Sequence, residues 1–293
     1  MPETFRMCAG RALLCCWPFA RGRTRLTRLV LGADAGVLRG IEVRSRTGLV
    51  FRLRGDPMEW PLYTTGLYEA ALTRIYRRLI RPGDTVLDVG ANIGWYAVHF
   101  AAWTGETGHV HAFEPLPETC ERAEDTVRLN GMESIISLNN VGLGCESGSF
   151  TLYLFPGRSD GHATATSLQR SDAVPHTCRI ITLDEYIAKN GLTKVDFMKC
   201  DVEGHERDVF LGGSDLLSRE DAPIVGFEIQ LKCLQDRGLT PNDVVNSLKC
   251  LGYTDFCYRK AGNLTRLAPG LLKKSGDYIA CKPLRRERLH DLI

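Results

Sequence analysis

No Cys-x-x-Cys pair occurs among the eleven cysteines, and none stands at zinc-ligand spacing from a histidine. That excludes a zinc finger and a dithiol redox motif; an odd, scattered set of thiols points to reduced cysteines in a reducing compartment. Long apolar runs are missing too. The N-terminal stretch ALLCCWPFA is nine residues long and runs into arginines rather than a small-residue cleavage site. Neither a membrane span nor a signal peptide is therefore expected, and a cytoplasmic location is the default. The sequon Asn263-Leu264-Thr265 then has no glycosylation route. No charge dominates: 37 basic against 35 acidic side chains leave a formal net charge of +2, which argues against nucleic acid as the main partner. The one basic tract, RGRTRLTRLVLGADAGVLRG at 21–40, reads as a solvated arm. Internal repeats and long low-complexity tracts are absent as well.

What is present is a 293-residue chain, 44% hydrophobic and 25% charged, long enough for a full core. Two alternating runs, IEVRSR and LVFRLRG, joined by Thr47-Gly48, predict a hairpin. Residues 1–65 accordingly read as an arm and cap, and 66–293 as the main domain. GLYEAALTRIYRRLI (66–80) carries Leu67, Ala71, Ile75 and Leu79 at helical spacing and stops before Pro82-Gly83. From Thr85 on, apolar runs (TVLDV, HVHAFEP, SIISLNNVG, VDFMKCDV, PIVGFEI) alternate with helical patterns. The runs are nearly unbroken rather than alternating, as in parallel strands covered on both faces, which predicts a doubly wound α/β fold. YTDFCYR and DYIACKP, with no convincing helix between them, are expected to pair antiparallel at one edge. FTLYLFPG and the loop RSDGHATATSLQRSDAVPHT, about 150–178, read as an insertion whose loop is a candidate substrate lid. His162 and His176 are candidate acceptor contacts there, although loop histidines are more often solvated.

VLDVGANIG (86–94) has the form of a strand, a tight turn and a helix start. Gly90 permits backbone forbidden to other residues, Gly94 allows close helix packing, and Asn92 is the non-glycine residue type that most readily takes positive φ. Glu114, 20 residues past Gly94, falls at the end of the next strand, where a carboxylate can hold a ribose diol. These features fit a dinucleotide as well as S-adenosylmethionine. Asp88 favours the second, because a carboxylate beside the turn would crowd a pyrophosphate but attract a cationic donor. Asn140 and Val141, at the end of the third strand, are candidates for an adenine wall.

The pattern Asp88-x-Gly90-Ala91-Asn92-x-Gly94 followed by Phe113-Glu114-Pro115 resembles class I S-adenosylmethionine-dependent methyltransferases. Downstream, ITLDEY (181–186) and VDFMKCDVEGHE (195–206) are similar to the T-L-D-x-Y and K-x-D-x-E-G-x-E signatures of the FkbM family, and Tyr68-Glu69 to that family's entry helix. The similarity runs from about Tyr68 to Glu228. It implies a mostly parallel seven-stranded sheet with an antiparallel last strand, a donor held by Asp88, Gly90, Ala91, Asn92, Gly94, Glu114 and Pro115, and O-methylation of a small-molecule or sugar acceptor.

Asp201 ends the VDFMKCDV strand, and Glu203, His205 and Glu206 follow it. Acids at a helix start serve the macrodipole and capping. They are equally candidates for the base that takes a proton from an attacking hydroxyl: Asp201 or Glu203 first, His205 second. Positioning alone supplies much of such a rate, so a base is not indispensable. With Glu228 these acids form an alternative Mg²⁺ site, which Lys199 opposes by offering a counter-charge. An NAD(P)-dependent oxidoreductase of similar topology, an RNA methyltransferase supported by the N-terminal arginines, and a cofactor-binding protein without turnover are the rival readings.

Overall fold

The computed structural model of the chain describes residues 35–154, 173–260, 262–267, 275–290 and 292. ALLCCWPFA, the basic arm up to residue 34 and His162 lie outside them. Among the described residues, no helix is long and apolar enough to cross a membrane.

The expected hairpin is present as β1 (Glu42–Arg44) and β2 (Val50–Arg52), antiparallel with Val43 opposite Phe51. A short helix the sequence pattern did not announce, α1 (Trp60–Thr65), follows a capping box at Asp56 and Glu59. Then come α2 (Ala70–Leu79), β3 (Thr85–Val89), α3 (Trp95–Thr104), β4 (His109–Phe113), α4 (Pro117–Leu129) and β5 (Ile136–Asn139). A side sheet is built from β6 (Gly142–Leu143), β7 (Gly148–Leu154) and β8 (Val174–Ile181). The chain continues through α5 (Leu183–Lys189), β9 (Phe197–Cys200), α6 (Glu206–Leu211), α7 (Ser214–Ser218), β10 (Ile224–Ile229), α8 (Leu231–Asp236) and α9 (Pro241–Cys250). It closes with β11 (Asp255–Lys260), β12 (Asn263–Arg266), β13 (Gly276–Cys281) and α10 (Glu287–His290).

The main sheet runs β12-β11-β13-β10-β9-β3-β4-β5, parallel from β10 to β5 and antiparallel at β13. Among the described residues it has eight strands, not seven. β11 returns on itself through Gly262, whose φ of +90° suits a tight turn, so that Lys260 faces Asn263 and one more short strand is added at the edge. Strand period 2 divides the core. Val86, Phe197 and Ile224 face the hairpin, α2 and α3, whereas Leu87, Met198 and Val225 face the helices α5 to α9. The hairpin shares the first of these cores, with Phe51 stacked on Trp95 at 4.9 Å and Thr47 bonded to His99 at 2.8 Å.

The insertion differs from its expected form. Residues 174–177, read as loop, are strand: β8 pairs along its length with β7, Val174 opposite Leu154. Pro175, which argues against a central strand, is accommodated because β6 reaches only Ile180 and Ile181 on the other side.

Candidate functional site

β3 and β9 are neighbours, yet the chain leaves them in opposite directions across the sheet, through β4 to β5 and through β10 to β13. The crevice beyond their carboxyl ends is where open α/β sheets take ligands. Here it opens into a cleft of about 570 Å³. Gly90–Ile93 and Glu114–Leu116 line one side, Asp201–Glu203, His205, Glu228 and Gln230 the other, with Ser149, Phe150 and Leu152 from β7 and Tyr68, Glu69 and Glu59 from the N-terminal part. Among the described residues three non-glycines have positive φ, Glu69 (+44°), Asn92 (+49°) and Glu203 (+52°), and all three line this cleft.

The turn after β3 is tight for a reason visible in the packing. A Cβ on Gly90, which has φ +79°, would lie 1.9 Å from the Asp201 carbonyl oxygen, so the turn can abut β9 only without a side chain. Four of its five amides are engaged: Gly90 and Ala91 donate to the Phe113 carbonyl (3.0 and 2.9 Å), Asn92 to Glu114 Oε2 (3.0 Å) and Gly94 to the Ala91 carbonyl (2.9 Å). Glu114 also accepts from the Leu116 amide at 3.0 Å. Burial raises the Glu114 carboxyl to about 7 against those hydrogen bonds.

Beneath the turn, strand register places Asp88 opposite Lys199. Both are buried, and the Lys199 ammonium lies 3.7 Å from Asp88 Oδ1, 3.2 Å from Asp201 Oδ2 and 3.2 Å from the Gly90 carbonyl. Burial works against that charge, but Asp201, Asp88 and Glu69 outweigh it and hold the Lys199 pKa above its usual range. Burial raises Asp88 to about 6 despite Lys199.

The opposite rim is acidic. Burial, then the neighbouring Asp201 carboxyl, pushes Glu228 up to about 9. Burial raises Glu69 to about 7 against a 2.7 Å hydrogen bond from the Tyr96 hydroxyl. Glu206 does not line the cleft; its Oε1 accepts the Val202 and Gly204 amides (3.1 and 3.2 Å) and so forms the turn that carries Glu203. Among the described residues no group of His, Cys, Asp and Glu is arranged to hold a metal ion.

Several expected residues stand elsewhere. Asp88 is fully buried behind Gly90 and does not line the cleft, so it meets Lys199 rather than a ligand. Gly94 starts α3, and a Cβ there would meet Ala123 at 3.4 Å, a helix-packing role. The Asn140 side chain donates to the Glu114 and Pro115 carbonyls (2.9 and 3.1 Å), and Val141 is buried in the core; neither lines the cleft. His176 sits in β8, outside the lining. The T-L-D-x-Y signature is architectural: Thr182 caps α5, Asp184 accepts the Asp215 and Leu216 amides, and the Tyr186 hydroxyl bonds His111 at 2.9 Å and Asn139 at 3.2 Å. Asp208, Arg237 and Phe150 line the cleft without having been foreseen, since no spacing in HERDVF, LQDRG or FTLYLFPG marks them out.

Comparison with known proteins bears on this arrangement. The family described as Methyltransferase FkbM domain matches residues 88–253. The chain is 32% identical over 167 residues to the hexuronic acid methyltransferase AglP of Haloferax volcanii, covering 56% of this chain and 61% of that one. It is 27% identical over 165 residues to the 31-O-demethyl-FK506 methyltransferase FkbM of Streptomyces tacrolimicus, covering 46% and 62%. It thus spans less than two thirds of either relative. A solved methyltransferase FkbM from Methylobacillus flagellatus KT superposes with a TM-score of 0.44 at 13% identity, covering 94% of this chain and 59% of that chain.

Proposed function

This chain belongs to the FkbM methyltransferase domain family, and on that premise we propose that it moves a methyl group from S-adenosylmethionine to a hydroxyl oxygen of a small-molecule or glycan acceptor. The observation that carries the choice of donor is the state of the turn. A pyrophosphate is cradled by a row of free backbone amides, whereas four of the five amides of this turn, those of Gly90, Ala91, Asn92 and Gly94, are bonded within the protein. Carboxyl groups face the cleft instead, at Glu69, Glu114 and Asp201, which suits a cationic donor. A Tyr-x-x-x-Lys spacing, as in some nicotinamide enzymes, does exist at Tyr278 and Lys282, but both lie outside the cleft and Lys282 donates to the Ser218 carbonyl.

In this reading Gly90, Ala91, Asn92, Glu114 and Pro115 hold the donor, and Asp88 acts from below by fixing Lys199. When bound, the donor supplies an electrophilic methyl carbon on a sulfonium. The chain's own residues hold the acceptor oxygen in line with it, close the cleft with Phe150 and Leu152, and take the hydroxyl proton within the loop of Asp201, Glu203 and His205. The sugar acid acceptor named for the Haloferax relative supports a glycan acceptor. The test is incubation with isotope-labelled S-adenosylmethionine and a panel of methyl glycosides, with mass spectrometry of the products. Label on a hydroxyl oxygen is expected; label confined to nitrogen, or to added RNA, would discard the reading.

A further inference from the structure

We propose that His205 is the group that removes the acceptor's proton, and that Asp208 and Arg237 are positioning residues that fix its ring for that step; this rests on the methyl-transfer reading above. His205 lines the cleft at the start of α6. Its Nδ1 lies 2.9 Å from Asp208 Oδ2, and Arg237 Nη2 donates to that same oxygen at 2.5 Å. The second arm of the Arg237 fork donates to the Gly204 carbonyl, so one guanidinium clamps both the partner of His205 and the strained turn, φ +52° at Glu203 and +94° at Gly204, that carries it. Phe150 meets the ring edge-on at 4.9 Å from the insertion side.

The tautomer follows from chemistry. An ionised carboxylate only accepts, so Nδ1 carries the proton and, in the neutral ring, Nε2 is bare. Partial burial works against the Asp208 charge, but the hydrogen bond from His205 and the Arg237 charge prevail and hold that carboxyl below its usual range. Nε2 is buried and has no hydrogen-bond partner among the described residues, the state of a group awaiting a ligand's hydroxyl. The neighbouring acids are otherwise engaged: Asp201 with Lys199 and Glu228, Glu203 with the Cys233 thiol at 3.8 Å, Glu206 outside the cleft. The charged groups about His205 are therefore Asp208 on its own helix, Arg237 after α8, Asp201 and Glu203 in the preceding loop and Glu206 beside it. In the step, the acceptor oxygen bonds to the methyl carbon as that carbon's bond to sulfur breaks. The electron pair stays on sulfur, and the hydroxyl proton passes to His205 Nε2.

Two measurements on the full-length protein test this. Long-range proton–nitrogen correlation spectra with isotope-labelled histidine, assigned by loss of signals in His205→Gln, are expected to show a protonated Nδ1 and a bare Nε2; Asp208→Asn is expected to mix the two tautomers. A ring proton on Nε2 in the neutral wild-type ring overturns the proposal, whether or not any acceptor has been found. In transfer of labelled methyl to methyl β-D-glucuronoside, His205→Gly is expected to lose about 10²–10⁴-fold in turnover. It should still bind S-adenosylhomocysteine like the wild type, and added imidazole should restore part of the rate in proportion to its free base. Turnover retained in His205→Gly, or a loss that imidazole leaves untouched, overturns the role. Failure of the wild type to methylate the glycoside counts against that acceptor, and the tautomer spectrum then decides the proposal alone.

Discussion

On the β3–β4 side of the cleft four of the turn's five amides have acceptors inside the protein, and Glu114 accepts the Asn92 and Leu116 amides. On the β9–β10 side burial and Asp201 raise the Glu228 carboxyl well above its usual range, Glu203 is held at positive φ, and His205 Nε2 has no partner among the described residues. The contrast is between a rim preorganised by its own hydrogen bonds and a rim whose electrostatic needs are left for a ligand to complete. The Asp88 oxygens and Glu206 Oε2 also lack hydrogen-bond partners among the described residues, but Asp88 and Glu206 lie outside the cleft, so of the unsatisfied buried groups His205 lines it and the second rim is where the reacting oxygen belongs. Lys199 joins the two rims, touching the Gly90 carbonyl on one and Asp201 on the other.

Lys199→Met breaks that joint and has the largest expected effect. It leaves Asp88 buried and uncompensated, a change of about 3–5 kcal/mol, which chemical denaturation would register. Gly90→Ala drives a methyl group into the Asp201 carbonyl and forces a left-handed backbone on alanine. Overpacking and that conformation together cost about 2–5 kcal/mol, and heat of binding to S-adenosylhomocysteine should vanish. Asn92→Ala separates backbone from side chain: a loss of about 1–2 kcal/mol is expected, with Asn92→Gly close to wild type. Equal losses in both would mean that the amide side chain, not its φ, is what matters.

The acidic rim is probed most gently by pH. Burial and Asp201 raise Glu228 from 4.5 to about 9, so the folded state binds its proton more tightly than the unfolded chain does. The stabilisation is complete below pH 4.5 and is lost as pH rises through 9. Glu69, Glu114 and Glu206, each raised to about 7 chiefly by burial, add the same sign at lower pH. Thermal melts should therefore show Tm falling from mild acid towards pH 9, and Glu228→Gln should flatten the alkaline part by a few degrees, at about 2–4 °C per kcal/mol. An unchanged slope in that variant would place the raised carboxyl elsewhere.

The sequence disclosed what is local or periodic. The buried strands, the hairpin at Thr47-Gly48 and the positive φ of Asn92 all follow from residue type and spacing. It did not disclose which side of a strand a charge would face: Asp88 points to Lys199 because the two are cross-strand neighbours, a fact of register that no single strand contains. Asn140 and the T-L-D-x-Y residues were legible as a pattern but not as architecture, since their partners, Glu114, Asp215 and His111, lie on other elements. Asp208 and Arg237 were invisible for the same reason: their pairing spans 29 residues and two helices.

The most direct measurement of the central claim is calorimetric titration of the full-length protein with S-adenosylmethionine, S-adenosylhomocysteine and NAD. A turn with four of its five amides already bonded, facing a carboxyl-lined cleft, predicts one-to-one heat with the sulfonium and its demethylated product and none with the dinucleotide. Binding of NAD with silence from both sulfur compounds would contradict it.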